Sequence, residues 1–420
     1  MLITILQCIS AFLIVLTTLC YAYQVIYLFV PFFLKKKPHK EVKYNRYAVL
    51  IAARNEEAVL PHLLDSIRKQ DYPAELITTY VVADNCTDHT AQLAAAHGAK
   101  VFTRSNDKQI GKGFALRYLL EQIQQTDGLD QYDAFLIFDA DNLLTHDYIT
   151  QLNRTCSDGY EVFTSYRNSK NFGGNWLTAG AAVWYLHDCT HMNRSRMLLG
   201  NPCVIAGTGY GFTRGFLRRF QDTWPFQTLT EDIELTAWCA THGVRVGYNH
   251  DAIFYDEQPK KFRTSWKQRT RWAQGGIQVS VRYIGDMFRG LFKGGRTSYA
   301  SLETITVSLW GYGTGALCAC MTMLLTYLSF CWMGIGLALI GSVVSSYCAL
   351  FAIGALTMLT EHKRIRATKK EKIMSLFTFP LFMLSFVPIA ATAIFRKFKW
   401  DPIEHDVAIT ADELESISRQ

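Results

Sequence analysis

Tyr47-Ala48-Val49-Leu50-Ile51-Ala52-Ala53, continuing into Arg54-Asn55-Glu56-Glu57 and then Val59 to Lys69, reads as a buried strand, a polar loop and a helix. The pattern recurs at once: Ile77 to Ala83 is apolar, Asp84-Asn85-Cys86-Thr87-Asp88 is polar, and the Ala-rich stretch Thr90 to His97 is helix-like. Two such units in succession predict an α/β fold with a parallel sheet. Val101-Phe102 begins a third strand, Lys112 to Gln124 reads as a helix, and Ala134 to Phe138 is a strand whose exit is Asp139-Ala140-Asp141. Ligands of open α/β sheets bind beyond the carboxyl ends of the strands. Arg54 to Glu57, Asp84 and the Asp139/Asp141 pair are therefore expected around one crevice. The dinucleotide glycine fingerprint and the P-loop are both absent.

Outward from that domain the composition changes. Over 420 residues, 49% are hydrophobic and 19% charged, but residues 1–34 and 304–360 carry no Lys, Arg, Asp or Glu. At about 20 residues per span, these segments predict one and two membrane helices. Residues 1–34 lack the basic start and short apolar core of a signal peptide and read as a retained anchor. Lys35-Lys36-Lys37 and Lys40 follow the first span, which keeps the middle domain cytosolic. The run Lys363, Arg364, Arg366, Lys369, Lys370, Lys372 then returns to the same side. A single crossing by residues 373–395 would put Arg396, Lys397 and Lys399 outside, against that rule, so this segment, with Pro380 and Pro388, reads as re-entrant or kinked. Ile277, Val281, Ile284, Phe288 and Leu291 recur at helical spacing with Arg282, Arg289 and Lys293 on another face, which suits an interfacial helix over 277–297 in contact with membrane lipids; packing on the soluble core is the alternative. The net charge of +7 gathers beside membrane segments, which argues against nucleic acid as a partner. The 11 cysteines show no Cys-x-x-Cys and read as reduced.

Five clusters carry chemistry. Asp139 and Asp141 offer hard oxygen ligands through which Mg²⁺ or Mn²⁺ can bridge to a diphosphate, although an Asp-x-Asp alone is as consistent with a solvated turn. Thr230-Glu231-Asp232 opens a helix-like stretch; a carboxylate at a crevice rim can take the proton of an attacking sugar hydroxyl, and that base is assigned to Asp232 with Glu231 supporting it. Gln268, Arg271 and Trp272, at i, i+3 and i+4, share one helix face, so that a guanidinium for phosphate oxygens and an indole for a sugar face are presented together. Gly207-Thr208-Gly209-Tyr210-Gly211 permits close backbone approach to an acceptor, and Gly111-Lys112-Gly113 offers a cation to the nucleotide; a plain turn and an exposed loop lysine are the bland readings of these two.

With Ala52-Ala53-Arg54-Asn55-Glu56, Val82-Ala83-Asp84-Asn85, Gly111-Lys112-Gly113, Asp139-Ala140-Asp141, Thr230-Glu231-Asp232 and Gln268 to Trp272 in one order, the chain resembles the membrane-embedded family-2 glycosyltransferases, the cellulose, hyaluronan and poly-N-acetylglucosamine synthases, over roughly residues 45–295. The resemblance implies a GT-A fold, an inverting transfer from a UDP-sugar, and a divalent metal at Asp139 and Asp141. It implies that Ala53, Glu56, Asp84 and Lys112 hold the uridine end, that Asp139 and Asp141 hold metal and phosphates, that Asp232 is the base, and that Gln268, Arg271 and Trp272 hold pyrophosphate and acceptor. Trp400 to His405 looks like a tail of bacterial members. Relative to the large cellulose synthases the chain has few spans and no recognisable cyclic-dinucleotide domain, which puts that regulation and processive polymerisation in doubt.

The organisation expected is thus a membrane helix over 1–34, a cytosolic GT-A domain over 44–276, the interfacial helix over 277–297, two spans over 301–360, a third membrane segment over 373–395 and a cytosolic tail over 396–420, in a multi-pass protein of the cell membrane. The function expected is transfer from UDP-N-acetylglucosamine or UDP-glucose to a growing polysaccharide. Single-residue transfer to a lipid-linked acceptor and a non-catalytic scaffold are the alternatives.

Overall fold

The computed structural model describes residues 2–36, 38–307, 309–395, 405, 407–410 and 413. Its strands are β1 (Tyr47–Ala53), β2 (Ile77–Asp84), β3 (Lys100–Arg104), β4 (Ala134–Asp139), β5 (Leu143–Leu144), β6 (Val162–Ser169), β7 (Tyr210–Thr213) and β8 (Val246–Asp256). They form one sheet in the order β3-β2-β1-β4-β7-β6-β8-β5. The sheet is parallel, as expected, through β3, β2, β1 and β4, and again between β6 and β8; β7 runs antiparallel to both β4 and β6, and β5 antiparallel to β8, so the whole is mixed. The reversal of β7 has a use. It brings the loop preceding β7 to the carboxyl end of β4, with Tyr210 opposite Ile137.

Alternation along β1 divides the core. Ala48 and Leu50 pack into one cluster with Val82, Leu116, Phe212 and Trp224, while Tyr47, Val49 and Ile51 pack into a second with Leu60, Phe138 and Ile149. Both faces are covered by helices, which is why the strand reads as a continuous apolar run. Beyond β1 and β2 the chain turns on Asn55 (φ 57°) and Asn85 (φ 54°), a residue type that tolerates the left-handed region.

The amphipathic stretch expected over 277–297 is not a separate element. It is the last part of one helix, Phe262–Leu291, because nothing between 276 and 277 breaks the helix; the chain breaks at Phe292 to Gly294 before a second helix, Gly295–Thr306. The boundary drawn at 276 therefore falls inside a helix. Val279, Tyr283 and Met287 pack on Ala237, whereas Val281 is 65% and Phe288 44% exposed. Of the stripe noticed in the sequence, Val281 and Phe288 lie on the face that the core leaves uncovered, while Ile277, Ile284 and Leu291 are half-buried.

Among the described residues three helices are long and apolar enough to cross a membrane: Ile3–Phe33, Gly334–Glu361 and Lys369–Phe395. Helical structure extends over Leu309–Glu361, which as a straight rod would measure about 80 Å. Its surroundings forbid a rod. Tyr21 donates to Thr306 O at 2.6 Å, Thr17 meets Cys318 at 3.5 Å, and His191 joins Leu28 O at 3.2 Å to Thr360 Oγ1 at 3.3 Å. Both ends lie against one short stretch of the first helix, so the segment doubles back. Lys369–Leu384 and Phe386–Phe395 meet at Ser385, next to Pro388, and stay on the α/β domain: Glu371 lies against Gly173, Phe382 against Gly180, and Gln274 donates to Ala393 O at 3.1 Å. Arg396, Lys397, Lys399 and residues 400–404 of the expected tail lie outside the described residues.

Candidate functional site

The carboxyl ends of β1, β2, β4, β6 and β8 share one edge of the sheet, and Lys112 is the cation in its middle. Its ammonium donates to Asp139 Oδ1 at 2.6 Å and Gly207 O at 2.8 Å, and stands 3.7 Å from Glu231 Oε1. Burial works against its charge, but Asp139 and Glu231 raise its pKa above the ordinary lysine value. The start of its helix, Lys112–Thr126, comes close to Phe226 because Gly113 has no Cβ, which would collide with Phe226 O. One ammonium therefore ties the strand-end carboxylate to the loop before β7 and to the helix Glu231–His242.

Asp139 and Asp141 are held differently. The Asp139 N–H donates to Thr208 Oγ1 at 2.8 Å, and its side chain is 41% exposed with one oxygen on Lys112. Asp141 is buried, accepting from Asn142 Nδ2 at 3.1 Å and from the Glu257 N–H at 3.0 Å. Despite burial its pKa lies below the ordinary range, held down by the charges of His405 and Lys170 and by the Glu257 N–H. Among the described residues there is no cluster of three metal-ligating side chains. The pair suits an ion that fills its coordination from phosphate oxygens and water, as Mg²⁺ does with one or two carboxylates.

Asp232 accepts the Gly207 N–H at 2.6 Å. Burial raises its pKa, against the Ile233 N–H and the charge of Lys112; Glu231 is also raised by burial, against Lys112. Glu234, fully buried, fixes this corner: it accepts the N–H groups of Gln227 and Thr228 at 2.9 Å each and pairs with Arg282 at 2.8 Å. Gly275 lets the helix Phe262–Leu291 approach Thr230, since a Cβ there would strike the Thr230 side chain. On that helix Arg271 donates to Leu229 O at 2.9 Å, and Trp272 meets Tyr185 edge-on at 6.4 Å, while Gln268 is half-buried. Arg269 points elsewhere, to Ser385 Oγ at 2.6 Å between the rings of Phe382 and Phe386.

At the other flank Ala53 closes β1 and Asp84 closes β2. Asp84 Oδ1 takes Arg104 Nη1 at 2.6 Å, a pair whose two side chains are 8% and 6% exposed. Glu56, its N–H on Thr90 Oγ1 at 2.9 Å, meets His405 Nδ1 at 3.0 Å; Val407 N–H reaches Glu257 Oε2 at 2.9 Å. The C-terminal residues thus return to the crevice. Lys170, Arg167, Asp256, Glu257 and His405 belong to this site and escaped the sequence reading. For two of them, Asp256 and Glu257, a signal existed: Asp256-Glu257-Gln258-Pro259 is a polar exit from an apolar strand, as Asp139-Ala140-Asp141 is. Arg167 bonds Asp256 Oδ2 through Nε at 2.7 Å and lies over the Tyr185 ring at 3.6 Å.

A family model described as glycosyltransferase like family 2 matches residues 45–275. The β-monoglucosyldiacylglycerol synthase of Synechocystis sp. is 28% identical over 248 residues, 58% of this chain and 50% of its own length. The poly-β-1,6-N-acetyl-D-glucosamine synthase of Staphylococcus epidermidis is 25% identical over 266 residues, 60% of this chain and 61% of its own. The chain thus spans about half of the first of these curated relatives and three-fifths of the second. Among solved structures, a mannosyltransferase from Pyrobaculum calidifontis in complex with GDP-Man and Mn²⁺ superposes with a TM-score of 0.55 at 18% identity, over 91% of this chain and 97% of that one. The likeness is one of fold, the GT-A arrangement.

Proposed function

The chain belongs to glycosyltransferase family 2, and on that premise we propose that it transfers a hexosyl residue from a UDP-sugar, UDP-N-acetylglucosamine or UDP-glucose, to an acceptor at the cytosolic face of the membrane, with inversion at the anomeric carbon. The observation that carries this reading is the position of Lys112, between Asp139 on the sheet edge and Glu231 beside Asp232. Diphosphate-holding and proton-accepting groups then stand on two sides of one small crevice. Asp232 takes the proton of the acceptor hydroxyl as its oxygen bonds to the anomeric carbon; the bond from that carbon to the diphosphate oxygen breaks, and UDP leaves. Lys112, expected at the uridine end, lies instead on Asp139 and with Arg271 would offset the charge of the departing diphosphate. Asp139 and Asp141 would hold Mg²⁺ or Mn²⁺, which when bound neutralises phosphate charge. Ala53, Glu56 and Asp84 would face the uridine, and Gln268 and Trp272 the pyrophosphate and acceptor.

A growing polysaccharide is the acceptor read first. A lipid acceptor is favoured by one observation, the diacylglycerol-type product named for the 28% identical relative. The purified, detergent-solubilised protein with Mg²⁺ or Mn²⁺ and single UDP-sugars separates the two. A product ladder supports the polymer, one added residue on a lipid supports the alternative, and no UDP release with any donor or acceptor refutes the transferase reading.

A further inference from the structure

Lys170 stands one residue beyond the carboxyl end of β6, its backbone N–H on Asp256 O at 2.8 Å. The residue is 5% exposed, and its ammonium is buried without a hydrogen-bond partner. The negative charges of Asp141, Glu257, Asp256 and Glu56 act on it, Asp141 first, yet none of these carboxylates is a hydrogen-bond partner. A buried ammonium with unspent donors is unfavourable unless something accepts its hydrogen bonds, so the site has room in its hydrogen-bond pattern for an oxygen acceptor.

The other lysine of the crevice shows what that partner is. Lys112 serves the Asp139 side and touches Glu231; Lys170 serves the Asp141 side and faces Glu56. The two cations flank the two aspartates, and a diphosphate seated over those aspartates offers oxygens to both sides. We propose that Lys170 is a second diphosphate-binding residue, gripping the nucleotide-sugar from the Asp141 side as Lys112 grips it from the Asp139 side. This inference rests on the nucleotide-sugar reading above. The competing role is plain charge compensation, in which Lys170 only keeps four carboxylates from repelling one another.

Uridine and UDP tell the roles apart, because they share the base and ribose and differ in the diphosphate. Binding of each to the full-length, detergent-solubilised protein is measured calorimetrically with Mn²⁺ for the natural chain, K170M and K170R. K170M is expected to weaken UDP about tenfold or more while leaving uridine within about twofold, the loss of a charge-assisted contact to phosphate. K170R keeps the charge, guards against a folding failure, and is expected to hold UDP better than K170M does. Unchanged UDP affinity in K170M, or equal weakening of UDP and uridine, overturns the proposal. Natural protein that binds no nucleoside diphosphate removes the underlying reading and this proposal with it, a result distinct from K170M binding UDP normally.

Discussion

Asp232 is a buried acid, and the role of base proposed for it requires its charged form. Its raised pKa means that the base form is lost as pH falls through a value above the ordinary Asp range of about 4, so the acid limb of kcat/KM is expected above that value. Asp232→Asn should cost roughly 10²- to 10⁴-fold in kcat, and it should leave UDP binding nearly unchanged; intact turnover would refute the assignment. The same shift has a stability sign. A folded-state pKa above the unfolded one means that the native state holds the extra proton, so stability declines as pH rises through the interval between the two values. Asp232→Asn is accordingly expected to raise the melting temperature at pH 8, and a lowered one would contradict burial as the cause of the shift. Arg104 poses the opposite case. Removing it strands the Asp84 carboxylate, and Arg104→Ala should destabilise the fold by about 3–5 kcal/mol, measured by denaturant melts on the α/β domain's signal. The acidic clusters could be picked out of the sequence because each follows an apolar strand or opens a helix. Lys170 could not, since a lone Lys in Ser169-Lys170-Asn171 carries no pattern, and the tail motif that ends at His405 does not tell that the fold brings this residue to Glu56.

The helix Phe262–Leu291 combines both of the element-scale jobs in this molecule: its first half presents Arg271 and Trp272 to the crevice and its second half shows Val281 and Phe288 to the outside. Strand and helix types were legible from periodicity, but the division at 276 was not, because the two functions look like two elements in sequence and nothing physical separates them. The opposing face is spoken for by Val279, Tyr283 and Met287, so the exposed stripe is predicted to rest in lipid. Nitroxide labels at 281 and 288 should be reached by oxygen more than by a polar relaxant, with the reverse at 289; equal polar access at all three positions would remove the interfacial role. Where this helix meets Thr230 the packing tolerates no side chain. Gly275→Val should cost about 1–3 kcal/mol by overpacking, and it should lower kcat by displacing Arg271 and Trp272.

At the scale of the whole molecule the question is which side of the membrane each end occupies. Arg396, Lys397 and Lys399 broke the cationic-loop rule if residues 373–395 cross once. The packing offers a way out that charge counting could not supply, because it depends on which helices touch. Glu371, Phe382 and Ala393 all contact the α/β domain and His405 meets Glu56, so we propose that the segment enters and leaves the membrane on the side of that domain. The doubled-back stretch Leu309–Glu361 is expected to expose only its turn outside, with Lys35 and the domain inside. In a background with the native cysteines replaced, Gly336→Cys is predicted to react with an impermeant maleimide on intact cells, whereas Asp130→Cys and Glu413→Cys should react only after permeabilisation. Labelling of Glu413→Cys from outside would make residues 373–395 a true crossing and would place the tail beyond reach of the crevice. Labelling of Asp130→Cys from outside would invert the molecule and deny the site its cytosolic UDP-sugar.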